Sequence, residues 1–204
     1  MYSMPLHADL YLDRIDFNRH APAATCEVCH VDSLPELLDR LRSGKICGGQ
    51  CVHWPRERVE AFRMAIDAGE TLPVVASLDV PRPTETGPME LNEPTADSPV
   101  LITGNSQLTH EVLLAVLSTT AAPLWMISVD TAGHTVDMSL VYKTLTVEAI
   151  AHAVRTADFT GRIILPGLAE SLAAPLSQQL NRPIETGPVC AAELPLFFGA
   201  EWGR

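Results

Sequence analysis

Four of the five cysteines crowd into one short stretch, as Cys26-x2-Cys29 and Cys47-x3-Cys51, while Cys190 lies far away near the C-terminus. Two close pairs flanking a predicted helix let a chain gather four thiolates around one inorganic centre. Each pair spans one edge of the centre, and the helix reverses the chain between them. Scattered buried thiols are the bland alternative, since free cysteine packs as a small hydrophobe. Clustering at this density favours a metal centre on Cys26, Cys29, Cys47 and Cys51.

The spacing admits both a structural zinc and an iron–sulfur cluster. The loop Cys47-Gly48-Gly49-Gln50-Cys51 leans toward the cluster, because glycines make room for bridging sulfides and free amide N–H groups to point at sulfur. Cys26-Glu27-Val28-Cys29-His30 also matches the c-type haem attachment string, but that chemistry would leave the second pair without a purpose. His30 and His53 flank the pairs and are read as lying outside the ligand set.

With 25 acidic and 14 basic residues the chain carries a formal charge of −11. A phosphate backbone would repel it, so nucleic acid is excluded as a partner class. Residues 1–22 interleave Asp9, Asp13, Arg14 and Asp16 with apolar residues, unlike a secretory leader. No run is long and apolar enough to span a bilayer. A cytoplasmic, reducing location with no membrane partner is the expectation, and there paired cysteines act as ligands rather than disulfides.

Residues 34–43 read as a helix with Ser33 as N-cap, Pro35 in its first turn and Gly44 past its end. A second helix is expected from Pro55 to about Ala68. Residues 79–98 then concentrate proline with Glu85, Glu90, Glu93 and Asp97, the composition of an extended, solvated linker. Beyond it, strands are expected at Val100–Thr103, Leu124–Val129, Arg162–Leu165 and Pro183–Thr186. Helices are expected at about 108–118, 146–156 (capped by Thr146) and 169–180. The expected fold is α/β: a Rossmann-like parallel sheet over 99–204 with helices on both faces, preceded over 1–78 by a small, mostly helical four-cysteine module.

In such a sheet, ligands bind beyond the carboxyl ends of the strands. Four such ends here carry small or polar residues: Thr103-Gly104-Asn105-Ser106, Asp130-Thr131-Ala132-Gly133, Pro166-Gly167 and Gly187-Pro188. Small residues there allow a large flat ligand to lie against backbone. Taken singly, each is an ordinary turn; together at one edge they mark a candidate site. No Gly-x-Gly-x-x-Gly follows the first strand and no Walker string is present, which disfavours dinucleotides and nucleoside triphosphates. Ser106 has no nucleophile-elbow setting. Cys190 is expected to be a buried, inert thiol, although a third, weaker reading makes it a nucleophile. His110 and His152 fall on predicted helices as packing or surface residues, and His134 sits in a strand-end loop.

Residues 99–198 resemble the C-terminal corrinoid-binding domain of the large subunit of the corrinoid iron–sulfur protein of the acetyl-CoA pathway. The segments that carry the resemblance are Val100–Thr109, Val129–Gly133, Ile164–Gly167 and Gly187–Pro195, in the family's order. The resemblance implies a cobalamin at the strand ends, lined by Thr103, Asn105, Ser106, Thr109, Asp130, Thr131, Gly133, Gly167, Gly187 and Ala191. It also implies a 4Fe–4S cluster on the four cysteines. That family crowds three cysteines early and carries a TIM barrel between its two modules, whereas here the cysteines form two pairs and no barrel intervenes. No Asp-x-His-x-x-Gly string is present, so the implied cobalt has no protein histidine. The function so implied is a methyl and electron carrier, rather than a stand-alone enzyme, serving a methyltransferase or redox partner in anaerobic metabolism. The alternative is a zinc-stapled interaction protein whose α/β domain holds no cofactor.

Overall fold

Val100–Gly104 is buried at every position, and it forms the central strand of a sheet covered on both sides. The computed structural model describes residues 10–21, 31–46, 54–72 and 80–203. Among these, five strands form one sheet: β1 (Gly87–Leu91), β2 (Val100–Gly104), β3 (Leu124–Val129), β4 (Ile163–Leu165) and β5 (Ile184–Thr186), in the order β1-β3-β2-β4-β5. β2, β3, β4 and β5 run parallel, and β1 runs antiparallel along β3 with Gly87 opposite Ser128 and Leu91 opposite Leu124.

Residues side by side on a strand face opposite ways, so each parallel strand feeds two cores. Val100, Ile102, Ile127, Val129, Ile163 and Leu165 face one core, with Ile150 and Val154 of helix α7 (Val147–Val154) and Leu176 of α8 (Ala173–Leu180). Leu101, Met126 and Ile164 face the other, with Val112 and Val116 of α5 (Gln107–Leu117), Phe198 of α9 (Leu194–Phe198) and Trp202. Thr146 caps α7 by accepting from the Ala149 N–H at 3.2 Å, as its position before the apolar run predicts.

The structure corrects the sequence reading in two places. First, within the segment expected as a linker (79–98), Gly87–Leu91 adds an antiparallel strand, which makes the sheet mixed rather than wholly parallel. Its alternation is half-buried, with Met89 and Leu91 packed on the core and Pro88 and Glu90 outward. Proline is tolerated at a sheet edge, where its missing N–H breaks no ladder, and an outward Glu discourages further pairing. Second, α6 (Val136–Val141) and α9 were not anticipated, and the helix expected from 169 starts as a 3-10 turn over Gly167–Leu172.

Upstream lie α1 (Phe17–His20), α2 (Leu34–Arg42), α3 (Arg56–Ile66) and α4 (Ala68–Thr71). Ser33 caps α2 through the Glu36 N–H at 3.4 Å, as expected. Leu37 and Leu41 of α2 pack on Trp54, Val59 and Phe62, with Trp54 and Phe62 edge-on at 5.0 Å. This core includes Leu196 of α9, while Ala68 and Leu72 join the sheet core beside Leu101, so helices and sheet share buried surface. The four clustered cysteines lie outside the described residues. Among the described residues, no group of three or more His, Cys, Asp or Glu side chains gathers to hold a metal ion, and no helix is long and apolar enough to cross a membrane.

Candidate functional site

Crossing from β2 to β3 moves the chain one way across the sheet, and returning to β4 places the next strand on the other side of β2. The loops after β2 and β4 therefore diverge and leave a crevice at their carboxyl ends, the usual ligand position in an open α/β sheet. A cleft of about 430 Å³ lies there. Its floor is apolar, with Leu101, Ile102, Ile164 and Leu165 from the strands and Val112 from α5.

Hydroxyls interrupt that apolar lining. Thr103, Ser106, Thr109 and Thr135 all line the cleft. Thr103 is 2% exposed, and its Oγ1 has no hydrogen-bond partner among the described residues. A buried hydroxyl without a partner costs free energy that a ligand's polar group can recover.

The thirteen strand-end residues expected at the site divide into two groups. Thr103, Ser106, Thr109, Gly133, Pro166, Gly187, Pro188 and Ala191 line the cleft. Gly104, Asn105, Asp130, Thr131 and Gly167 stand behind it and hold the loops in place. Asn105 Oδ1 accepts from the Thr131 N–H at 2.8 Å and the Gly133 N–H at 3.1 Å, while its Nδ2 donates to the Thr84 carbonyl and to Asp130 Oδ1, each at 3.3 Å. Asp130 in turn accepts from the Ala132 N–H at 2.9 Å.

The glycines also serve these loops rather than leaving bare backbone for a ligand. A Cβ on Gly133 would stand 2.5 Å from the Pro83 nitrogen, and one on Gly167 would stand 2.7 Å from the Val189 nitrogen. On Gly104 it would meet Thr131 Oγ1 at 2.7 Å, and on Gly187 it would meet Ile164 Cγ2 at 2.9 Å. At Gly133 and Gly167 the absent side chain lets one loop lie on another, while at Gly104 and Gly187 it lets a loop and a strand pack together.

Several cleft residues come from segments the sequence reading set apart. Leu10, Tyr11 and Leu72 come from the helical part, Arg82 from the supposed linker, and Asp137 and Met138 from α6. α6 carries a signal that could have revealed it: Thr135 stands at the N-cap position and Asp137 falls in the first turn. The segment around Arg82 and Pro83 is tied down by backbone bonds from Gln107 N–H to the Arg82 carbonyl at 3.0 Å and from Thr84 N–H to the Asn105 carbonyl at 2.7 Å.

Cys190 lines the cleft with 1% exposure, and burial pushes its thiol up to about 11, which keeps it protonated and a poor nucleophile. His134 also lines the cleft, its ring 4.7 Å from that of Tyr142. His110 is buried instead, with Nδ1 3.1 Å from Thr84 Oγ1 and Nε2 3.2 Å from Ser128 Oγ. His152, by contrast, is exposed on α7.

A mixed α/β sheet with an apolar, hydroxyl-bearing cleft at its switch point makes this an α/β domain with a candidate ligand cleft. The family model for CO dehydrogenase/acetyl-CoA synthase delta subunit (CdhD) matches residues 72–197, more than half of the chain, and the chain belongs to that family. Among its relatives, the acetyl-CoA decarbonylase/synthase complex subunit gamma of Methanosarcina acetivorans is 29% identical over 129 residues, covering 60% of this chain and 28% of that protein. Subunit gamma 2 of Methanosarcina thermophila is 30% identical over 120 residues, covering 55% of this chain and 26% of the relative. The subunit gamma of Methanopyrus kandleri is 26% identical over 126 residues, covering 59% and 27%. The chain thus matches little more than a quarter of the length of these relatives. A solved esterase/lipase from an uncultured bacterium overlaps with a TM-score of 0.31 at 14% identity, covering 76% of this chain and 56% of that one, too slight a likeness to bear on fold or function. The family match begins after Cys26, Cys29, Cys47 and Cys51.

Proposed function

We propose that the chain is a corrinoid-binding carrier whose Rossmann-like domain holds a cobalamin in the strand-end cleft and serves a partner methyltransferase in the cytoplasm. One observation carries this reading: apart from Leu10 and Tyr11, every residue lining the cleft at the switch point falls within the stretch that matches the family, and the cleft joins an apolar floor to a scatter of hydroxyls. That surface fits a flat, largely apolar macrocycle with polar amide arms. Ile102, Leu165 and Val112 would support the ring. The hydroxyls of Thr103, Ser106 and Thr109 would meet the arms, and Thr103 Oγ1 has no partner among the described residues. Cobalt would supply the methyl-carrying chemistry, while the chain contributes binding, orientation and exclusion of water.

The second half of the proposal concerns the cysteines. Cys26, Cys29, Cys47 and Cys51 would hold a 4Fe–4S cluster that supplies low-potential electrons to the corrinoid, or to a redox partner serving it. What supports this is their paired spacing around the helix Leu34–Arg42 together with the family of the adjoining domain.

An anaerobic preparation assayed for iron, acid-labile sulfide, zinc and cobalt, then titrated with hydroxocobalamin, tests both halves. Iron with sulfide and a saturable change in the cobalamin spectrum are expected. Stoichiometric zinc and a flat titration would overturn the proposal in favour of a cofactor-free interaction protein.

A further inference from the structure

We infer that the corner of the cleft where α5 begins is a phosphate subsite, built from Arg82, the Leu108 and Thr109 N–H groups and the Thr103 and Ser106 hydroxyls. It takes the phosphodiester of a corrinoid's nucleotide loop. The inference rests on the corrinoid reading of the cleft for the identity of the molecule that carries the phosphate.

Charge comes first. Among the described residues that line the cleft, Arg82 is the full cation and Asp137 the carboxylate. Asp137 is already engaged, one oxygen accepting from Tyr11 Oη at 3.1 Å and the other from the Thr135 hydroxyl. Arg82 is exposed, and its guanidinium makes no hydrogen bond or ion pair with any described residue. A chain of formal charge −11 repels anions in general, so an uncommitted arginine on a cleft wall marks where an anion is stabilised.

Backbone comes second. α5 opens at Ser106, whose side chain makes no capping bond. The Gln107 N–H donates to the Arg82 carbonyl at 3.0 Å, which seats Arg82 against the start of the helix. Pro81 and Pro83 flank it and favour extended backbone there, and Gly133 closes so tightly that a Cβ would stand 2.6 Å from the Arg82 carbonyl carbon. The Leu108 and Thr109 N–H groups come next in the first turn. Neither has an acceptor among the described residues, and both residues line the cleft. Unpaired N–H groups in the first turn of a helix carry partial positive charge and bind phosphate oxygens.

An independent observation points to a ligand at this corner. Thr103, on the strand that leads into α5, is 2% exposed and lines the cleft, yet its Oγ1 has no partner among the described residues. Ser106 is equally buried, lines the cleft and keeps its hydroxyl free of the cap. A corrinoid's arms end in neutral amides, except for the one that continues through a phosphodiester to a ribose and base. The negative oxygens of that arm match a guanidinium fork beside N–H and O–H donors.

The test uses the full chain, prepared anaerobically, as wild type, Arg82→Gln, Arg82→Lys and Ser106→Ala. Each is titrated with hydroxocobalamin, with cobinamide phosphate (which lacks the ribose and base) and with cobinamide (which lacks the phosphate as well). Arg82→Gln should weaken hydroxocobalamin and cobinamide phosphate by about ten- to hundredfold, the span for a lost charge-assisted hydrogen bond, and cobinamide by less than about threefold. Arg82→Lys should recover part of the loss, because it restores the charge without the fork. Ser106→Ala should cost about two- to tenfold with the same dependence on ligand. Unchanged affinity in Arg82→Gln, or equal losses across the ligands, would overturn the subsite. So would a loss confined to hydroxocobalamin, which would assign the contact to the ribose or base. If wild type binds no corrinoid, the corrinoid reading falls, and inorganic phosphate decides the subsite by NMR of isotope-labelled protein. Saturable shifts of the Leu108 and Thr109 amides that vanish in Arg82→Gln support it, and unmoved amides overturn it.

Discussion

Asn105 and Thr131 are locked together at the ends of adjacent parallel strands. The amide oxygen of Asn105 accepts from the Thr131 N–H at 2.8 Å and lies 3.1 Å from its hydroxyl. The same oxygen takes the Gly133 N–H at 3.1 Å, so one side chain sets the loop after β3. Asn105→Ala would leave two buried N–H groups without an acceptor and should destabilise the fold by about 2–4 kcal/mol. Urea denaturation would show this as a lower midpoint at constant slope. A midpoint equal to wild type would mean that water or a shifted loop replaces Asn105.

Gly133 has φ 79° and faces the backbone of Arg82 and Pro83, whereas Gly87 has φ 107° and nothing within 4 Å of where its Cβ would stand. Alanine at either position incurs left-handed strain of about 1–2 kcal/mol. Only Gly133→Ala adds overlap with fixed backbone, raising its cost to about 3–5 kcal/mol. Comparing thermal unfolding of the two variants isolates the packing part. Equal losses would mean that the 81–84 segment yields freely to the added methyl.

Most of the sheet domain was legible because local and tertiary signals agree there. Leu124–Val129 is a continuous apolar run that occupies a strand buried on both faces, and Thr146 caps the helix it precedes. β1 was not, because Pro88 and Glu90 argue against a strand unless the strand is an edge, and edge position is a property of the sheet. The site divides the same way. Small residues at strand ends mark the edge of the sheet where the cleft lies, but nothing local separates Thr103, which faces the cleft, from Asn105, which faces a neighbouring loop. Leu10, Tyr11 and Leu72 reach the cleft only through long-range packing, which no local periodicity records.

His110 makes stability depend on pH. Burial holds its imidazole below the ordinary histidine range, a shift only partly offset by a hydrogen bond with the Gly104 backbone. Thr84 Oγ1 and Ser128 Oγ lie within hydrogen-bond distance of its two ring nitrogens, and among the described residues no carboxylate bonds to it. The unfolded chain therefore takes up a proton near pH about 6.5 while the folded chain resists it. This contribution is fully present above that pH and is lost as pH falls toward the lowered folded value. Urea midpoints measured from pH 7.5 down to 5.5 should fall in wild type and fall less in His110→Asn. Parallel slopes in the two proteins would assign the dependence to other groups.

Cys190 should be chemically silent while the fold is intact. Its thiol is pushed up to about 11 from an ordinary value of 9.0, burial being the main cause. At pH 8 that shift alone cuts the thiolate about 100-fold, and thiolate is the species that attacks an alkylating reagent. Steric exclusion acts in the same direction, since the residue is 1% exposed. Iodoacetamide labelling followed by peptide-resolved mass spectrometry separates this cysteine from the other four. Labelling of Cys190 should be at least about 100-fold slower in native protein than in urea, where burial and the shift both vanish. Equal rates in the two states would return Cys190 to the list of candidate nucleophiles and would require the loop Gly187–Leu194 to open far more often than its packing implies.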